Sequence, residues 1–321
     1  MKIGIVGSGN IVSDFLEASK YLKDFEIRCI SATENGKERM IKLSNEYGIK
    51  NIYTNYEDLL NDDIEVVYIA VPNNLHYDFA KKAMEKNKHI ILEKPFTSTY
   101  KEALDLIKTA KENKIMIFEA ISNQYFPNYK KTKELISELG DIKIVHLNYS
   151  QYSSRYDKFK EGDIAPVFDP KKSGGALMDL NVYNIYYVVG IFGKPESINY
   201  IGNIERDIDT SGILTLEYSN FKCSLIGAKD CKAPLSISIQ GDKGFIHSKS
   251  AANVYDSFLF AKNSGDEIEY LLNEDKPRLF YELEEFSEIY KEKNYDKFYE
   301  YNEKTLIVME ILDIAKNQVG I

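Results

Sequence analysis

Glu93-Lys94-Pro95 directly follows the apolar run His89-Ile90-Ile91-Leu92, a place where a plain turn has little use for an acid beside a base. Other groups able to do chemistry stand at the same point of their own segments. Gly7-Ser8-Gly9-Asn10-Ile11-Val12 follows the strand-like run Lys2–Val6, Pro72-Asn73 with His76 follows Val66–Val71, and Glu119 falls near the end of Ile115–Ile121. In a parallel sheet every carboxyl end meets one edge, and ligands bind there. Topology alone therefore gathers an Asn, a His, two Glu and a Lys along the path of one extended ligand. A second group stands far along the chain: Asp179 and Tyr183, spaced i, i+4 on a helix expected from about Ala176, share one face.

The elements that must hold these residues follow from periodicity. Over the first 120 residues, apolar runs at Lys2–Val6, Glu26–Ser31, Val66–Val71, His89–Leu92 and Ile115–Ile121 alternate with amphipathic patterns such as Leu75–Lys86 and Thr99–Asn113. Continuous apolar strands between such helices imply an α/β doubly wound parallel sheet, covered on both faces. After Ile121 the pattern changes. A helix over about Pro127–Leu139 precedes strands at Ile142–Tyr152, Ser197–Tyr200, Gly212–Tyr218, Cys223–Ala228, Leu235–Gln240 and Gly244–His247. Turn signals at Ser219-Asn220 and Gly241-Asp242-Lys243-Gly244 make these strands antiparallel neighbours. One long helix, about Ala176–Phe192, interrupts them, and two helices near Leu279–Glu292 and Asn302–Asn317 end the chain. The expected division is 1–122, a dinucleotide-binding Rossmann domain, and 123–321, an α+β domain with a mostly antiparallel open sheet.

The glycine loop suits a dinucleotide. Gly7 and Gly9 permit a tight turn and close backbone approach to a pyrophosphate at a helix N-terminus, with Asn10 and Ile11 opening the helix. The third glycine position holds Val12, which helix–strand packing must accommodate. At the end of the second strand an acid would bind the ribose 2′-OH of NAD. Here Ala32 and Thr33 occupy that place and Glu34 comes too late. Ser31 and Thr33 hydroxyls, with Lys37 or Arg39 nearby, favour NADP(H), while the lack of an Arg directly at the spot leaves NAD open.

Four motifs together resemble the Gfo/Idh/MocA oxidoreductase family along essentially the whole chain: Gly7-Ser8-Gly9-Asn10-Ile11, Val71-Pro72-Asn73-Asn74-Leu75-His76, Glu93-Lys94-Pro95-Phe96, and the stretch from Gly174-Gly175 through Asp179 to Tyr183. Many relatives carry His where Tyr183 stands. Tyr183, with Phe168-Asp169-Pro170 upstream, is similar to the glucose–fructose oxidoreductase and dimeric dihydrodiol dehydrogenase branch. The resemblance implies hydride transfer between a nicotinamide and a carbinol carbon of a sugar, cyclitol or diol. It puts Lys94 at the nicotinamide and the substrate, Asp179 beside substrate or Lys94, and Tyr183 in proton transfer. Cofactor contacts are expected from Gly7, Gly9, Asn10, Ile11, Ala32, Thr33, Val71, Pro72, Asn73, His76, Glu93, Lys94 and Glu119. The Lys94–Pro95 bond is a candidate for the cis form. Gln124 takes the place of an Arg found in many relatives, in Glu119-Ala120-Ile121-Ser122-Asn123-Gln124-Tyr125, and is expected near a substrate that is not strongly anionic.

A tyrosine is a poor base near neutral pH, with a pKa of roughly 10, unless a cation favours its phenolate. As a donor in the reduction direction it needs no such help. Without this role, Tyr183 would be a core tyrosine beside Tyr186 and Tyr187. A rival reading from another class is a dinucleotide-binding regulator without turnover; intact Lys94, Asp179 and Tyr183 favour the enzyme. A reductase of linear tetrapyrroles is a third.

Composition narrows the partners. The 321 residues suffice for two cores, and 44% of them are apolar. A net charge of −9, spread along the chain, argues against nucleic acid or an anionic membrane as the main partner. Cys29, Cys223 and Cys231 lack metal-type spacing, and no metal site is expected. No apolar run reaches the roughly 18 residues of a membrane span. With no apolar segment at the start, the reading is a cytoplasmic protein. The family resemblance implies a homo-oligomer, dimer or tetramer, joined through the exposed sheet face.

Overall fold

The computed structural model describes residues 1–321, which divide into two compact units. The first comprises Met1–Ala120 with Lys276–Leu306, and the second Ile121–Asp275 with Ile307–Ile321.

The first unit is built on β1 (Lys2–Val6), β2 (Glu26–Ser31), β3 (Asn51–Tyr53), β4 (Val66–Ile69), β5 (His89–Glu93) and β6 (Ile117–Ala120), in the order β3-β2-β1-β4-β5-β6. All neighbours are parallel. Ile3, Ile5, Val67, Ile69, Ile90, Ile91 and Leu92 are wholly buried, as strands covered on both faces require. The connections carry α1 (Asn10–Ser19), α2 (Lys37–Tyr47), α3 (Tyr56–Leu60), α4 (His76–Glu85) and α5 (Tyr100–Asn113). Helix α5 starts sharply because Thr99 and Glu102 form a reciprocal capping box. The strand order reverses between β1 and β4, the topological switch point where such sheets leave a crevice. Edge strand β3 is mostly exposed and lacks a continuous apolar run, so periodicity does not announce it.

The expected assignment of everything after residue 122 to the second domain does not hold for Lys276–Leu306. Helix α9 (Phe280–Glu292) and the first half of α10 (Tyr295–Val319) belong to the first unit. Phe286 stacks on Phe118 of β6 at 4.5 Å, Phe298 meets the same ring edge-on, and Tyr290 meets His89 at 5.2 Å. An amphipathic pattern reveals that a helix has an apolar face; it does not reveal which sheet that face will cover.

The second unit holds an eight-stranded sheet: β7 (Ile142–Ser150), β8 (Ser197–Glu205), β9 (Ile208–Glu217), β10 (Lys222–Ala228), β11 (Ser236–Gly241), β12 (Gly244–Ser248), β13 (Phe258–Lys262) and β14 (Ile268–Tyr270). The order is β14-β13-β12-β11-β7-β10-β9-β8. Every pair is antiparallel except β7 and β10, which run parallel. Between them in sequence come α7 (Tyr156–Glu161) and α8 (Val182–Phe192), while α6 (Pro127–Leu135) precedes β7. Helix α8 lies against one sheet face, where Asn181 and Asn184 donate to the carbonyls of Leu225 and Ile226. The opposite face leaves Ile144, Ile201 and Ile213 exposed. The β8–β9 hairpin is longer than expected. It turns through Arg206-Asp207, both in the left-handed region (φ 50° and 63°), without the Asn or Gly that usually signals such a turn.

Candidate functional site

In the first unit β1 delivers the chain into a turn that only glycine fits. Gly7 has φ +119°, and a Cβ there would lie 2.3 Å from the Ala70 carbonyl oxygen. The Gly7 N–H donates to Ser31, tying the turn to the end of β2, and the Ser8 hydroxyl donates to the Gly36 carbonyl. Gly9 is the N-cap of α1, with nothing within 4 Å of a Cβ built on it. The first turn of α1 has no side-chain cap and no acid, so its amide donors offer a positive end to an anion. Above this turn opens a cavity of about 410 Å³, lined by Gly7, Ser8, Gly9, Ala32, Thr33 and Val71 among others. Uncapped amides, a Cβ-free approach and a cleft at the switch point fit a dinucleotide. Val12, standing for the third glycine, is wholly buried without disturbing the helix. At the ribose end Lys37 is engaged by Glu34 at 3.1 Å, whereas Arg39 reaches back to bond the Asn10 side chain.

At the neighbouring carboxyl ends, Lys94–Pro95 is a cis bond. Around it three of the residues expected to touch cofactor also brace the loops. Glu93 is buried; Tyr68 donates to its carboxylate at 2.5 Å and the Lys94 N–H at 3.3 Å. Burial pushes the Glu93 carboxyl above its usual range against those donors. Glu119 accepts from the Phe96 N–H at 3.0 Å. His76 is wholly buried, with Nδ1 2.9 Å from the Pro95 carbonyl and Nε2 3.0 Å from that of Val71. It thus links the two loops, and burial lowers its pKa although both carbonyls pull the other way. Val71, Pro72 and Asn73 remain partly or fully accessible beside the cavity.

In the second unit Asp179 falls on a π-helical turn, Leu177–Asn181, immediately before α8. Such a wide turn is the local irregularity that often accompanies a functional residue, and a period of 3.6 does not reveal it. Asp179 pairs with Lys229 at the end of β10, Nζ to Oδ2 2.6 Å. Tyr183, nearly buried, sets its ring 6.3 Å from that of Tyr149 near the end of β7. Because β7 and β10 are parallel neighbours with Ala228 opposite Ser150, both side chains point to adjacent carboxyl ends. The turn is held from below by Asp209: its carboxylate accepts from the Leu177 N–H at 2.6 Å and the Tyr200 hydroxyl at 2.7 Å. Its other oxygen would clash with a Cβ at Gly175, and that position has φ +106°. Burial raises the Asp209 carboxyl to about 6 even though these donors and the Lys229 charge oppose it.

Gln124, expected at the substrate, is buried. Its amide donates to the Tyr186 carbonyl, and its head group packs where α8 carries Gly190. Asn123 likewise donates to the Tyr183 carbonyl at 2.7 Å, so this stretch steadies α8. Three features escaped sequence reasoning: Lys229, Asp209, and a cavity of about 700 Å³ walled by Tyr149, Gln151, Tyr152, Lys232, Lys249 and Asn253. Lys229 and Asp209 lie far from Asp179 in sequence, and no local motif names them.

A doubly wound sheet with an amide-lined glycine turn at its switch point defines the class: a dinucleotide-binding protein with a second, sheet-based unit. Comparison with known proteins makes the class specific. The model of the oxidoreductase family with an NAD-binding Rossmann fold matches residues 1–120, and that of the GFO/IDH/MocA C-terminal domain matches residues 129–247. The chain belongs to the Gfo/Idh/MocA oxidoreductase family. It is 30% identical to the scyllo-inositol 2-dehydrogenase (NADP(+)) IolU of Bacillus subtilis, covering all of this chain and 98% of that relative. It is 27% identical to the trans-1,2-dihydrobenzene-1,2-diol dehydrogenase of Xenopus tropicalis, over 78% of this chain and 75% of that one. The fold is shared with KijD10, a 3-ketoreductase from Actinomadura kijaniata solved with NADP and TDP-benzene (TM-score 0.86, 18% identity, 99% and 97% of the chains). No helix is long and apolar enough to cross a membrane.

Proposed function

We propose that the chain is an NADP-dependent dehydrogenase or reductase acting on a secondary alcohol of a cyclitol, sugar or diol. The observation that carries this reading is the pairing of an uncapped glycine turn at the switch point with an intact Lys94, Asp179 and Tyr183. Bound NADP supplies the hydride acceptor or donor; the rest falls to the protein's own groups. The amides of the glycine turn hold the pyrophosphate. Ser31, Thr33 and Arg39 receive the 2′-phosphate, for which Arg39, already drawn toward Asn10, is the one strong donor. Lys94 polarises the substrate oxygen and Tyr183 gives or takes its proton. Glu93, Glu119 and His76 act behind Lys94 by fixing the loops on either side of it. The cavity beside Tyr149 takes the substrate's remaining hydroxyls; its size lies within the usual range for small-molecule sites. Substrate identity by relation points to inositols and dihydrodiols, the compounds named in the relatives IolU and dihydrobenzenediol dehydrogenase.

The test is turnover of a panel of inositols, aldoses and vicinal diols with NADP and with NAD, for wild type and Lys94→Ala. The reading expects activity on at least one cyclitol or diol and a loss of about 1000-fold in the variant. Near-normal turnover in Lys94→Ala would overturn it. A homodimer through the open sheet face accompanies this proposal, supported by the exposed Ile144, Ile201 and Ile213. Ile201→Asp should yield monomers in sedimentation if that is right.

A further inference from the structure

No lysine or arginine in the chain is buried as deeply as Lys229, whose side chain is 4% exposed. An ammonium costs several kcal/mol to bury unless its surroundings repay it. Here they do. Asp179 sits at 2.6 Å, the Val167 carbonyl at 3.4 Å, and the Phe168 ring presents its face at 5.1 Å. The pair is asymmetric, since the Asp179 side chain stays 30% exposed while its partner is enclosed. The anchor is fixed and the anchored group is accessible. That is how a supporting residue relates to one that meets a ligand.

We infer that Lys229 is a positioning residue for proton transfer, holding Asp179 ionised and in one orientation so that the exchangeable proton resides on Tyr183. This rests on the function proposed above. The charged and titratable groups around Lys229 include Asp179 on the π-helical turn, Asp209 on β9 with Tyr200 of β8 bonded to it, and the adjoining Asp230, which accepts from Thr210 and Ser211. An ammonium in contact favours the carboxylate form of Asp179. Without it, Asp179 loses the ammonium that contacts it at 2.6 Å. Asp179 then takes up a proton at higher pH and competes with the tyrosine as an acid. Phe168, of the Phe168-Asp169-Pro170 motif, acquires a role as the ring under the ammonium.

The experiment compares wild type, Lys229→Met and Lys229→Arg. In Lys229→Met, kcat should fall about 100-fold with KM nearly unchanged, and the acid limb of the kcat–pH profile should move upward. Lys229→Arg should recover most of kcat and restore the limb. Lys229→Met combined with Asp179→Asn should be no slower than the slower single variant, because the two residues act as one unit. Wild-type kcat in Lys229→Met, or a lower melting temperature with no movement of the limb, would overturn the proposal. If Lys229→Met does not fold, Lys229→Met/Asp209→Asn, which removes the neighbouring buried charge, takes its place. An infrared carboxyl titration of the protein alone, differenced against Asp179→Asn, separates this inference from the functional reading. There Asp179 should protonate at higher pH without Lys229, and an unchanged midpoint would refute the role of Lys229 even in a chain that turns over nothing on the panel.

Discussion

The glycine edge of the first unit and the carboxylate turn of the second are built by opposite means. At the edge the working groups are backbone amides, and what matters is the absence of side chains: Gly7 where a Cβ would strike a carbonyl, Gly9 where it would fill open space. At the turn the groups are side chains held by others, Asp179 by Lys229 and Asp209 by Tyr200, with the Leu177 N–H donating to Asp209. A backbone site needs only a short run of sequence. A side-chain site draws on residues scattered through the unit, and its charges must be balanced because they are buried.

The largest expected effect lies at the turn. Tyr183→Phe removes the hydroxyl without changing the ring's packing near Tyr149. Turnover should drop about 1000-fold with cofactor affinity unchanged, the mark of a lost acid–base group. Steady-state rates and a nicotinamide fluorescence titration check the two halves. A variant of near-normal kcat would reduce the second unit to a scaffold.

At the edge, Gly7→Ala and Gly9→Ala should separate strain from ligand approach. Alanine at position 7 meets a backbone oxygen in a conformation L-residues avoid, so both stability and cofactor affinity should fall, the latter about 100-fold. Alanine at position 9 meets nothing in the protein, so its melting temperature should match wild type. Its NADP affinity should still fall, since a methyl group there obstructs the phosphate alone. If Gly9→Ala binds NADP normally, the pyrophosphate does not pass over this turn. Arg39→Ala is gentler. It should weaken NADP about 10-fold and leave NAD untouched, as expected for one charge-assisted contact to a phosphate.

This contrast also explains what the sequence could tell. The glycine turn, the Lys94 loop and the alternation of strand and helix were legible because each is local in sequence. The family resemblance then extended that reading to Asp179 and Tyr183. Contacts between distant parts of the chain are not legible in this way. Gln124 stands in a motif, and its bond to the backbone of α8 is not signalled there. His76 and Glu119 stand at strand ends, and their bonds to the loops are not signalled there. Lys276–Leu306 was read by chain order and belongs to the first unit through Phe286 and Phe298. Lys229 and Asp209 could have been suspected only from charges adjoining apolar strands, a weak signal in a chain that is 28% charged.

Asp209 offers the finest test of how the turn's charges are balanced. Its carboxyl is wholly buried and raised to about 6 from an ordinary 3.8, chiefly by desolvation. A carboxyl raised on folding gives its full support below the unfolded value and loses it as pH rises through the folded one. Between about pH 4 and pH 6 the wild-type protein should therefore lose up to about 3 kcal/mol from this group, then level off. Asp209→Asn keeps an acceptor for the Leu177 N–H and the Tyr200 hydroxyl but cannot ionise. Its melting temperature should match wild type near pH 4 and exceed it above pH 6, by up to about 6 °C. Because Lys229 is drawn to this carboxylate as well as to Asp179, removing one competitor should also sharpen the hold on the other. A variant that is less stable than wild type at every pH would mean that the Asp209 charge is needed at the turn, and that the ammonium serves both carboxylates equally.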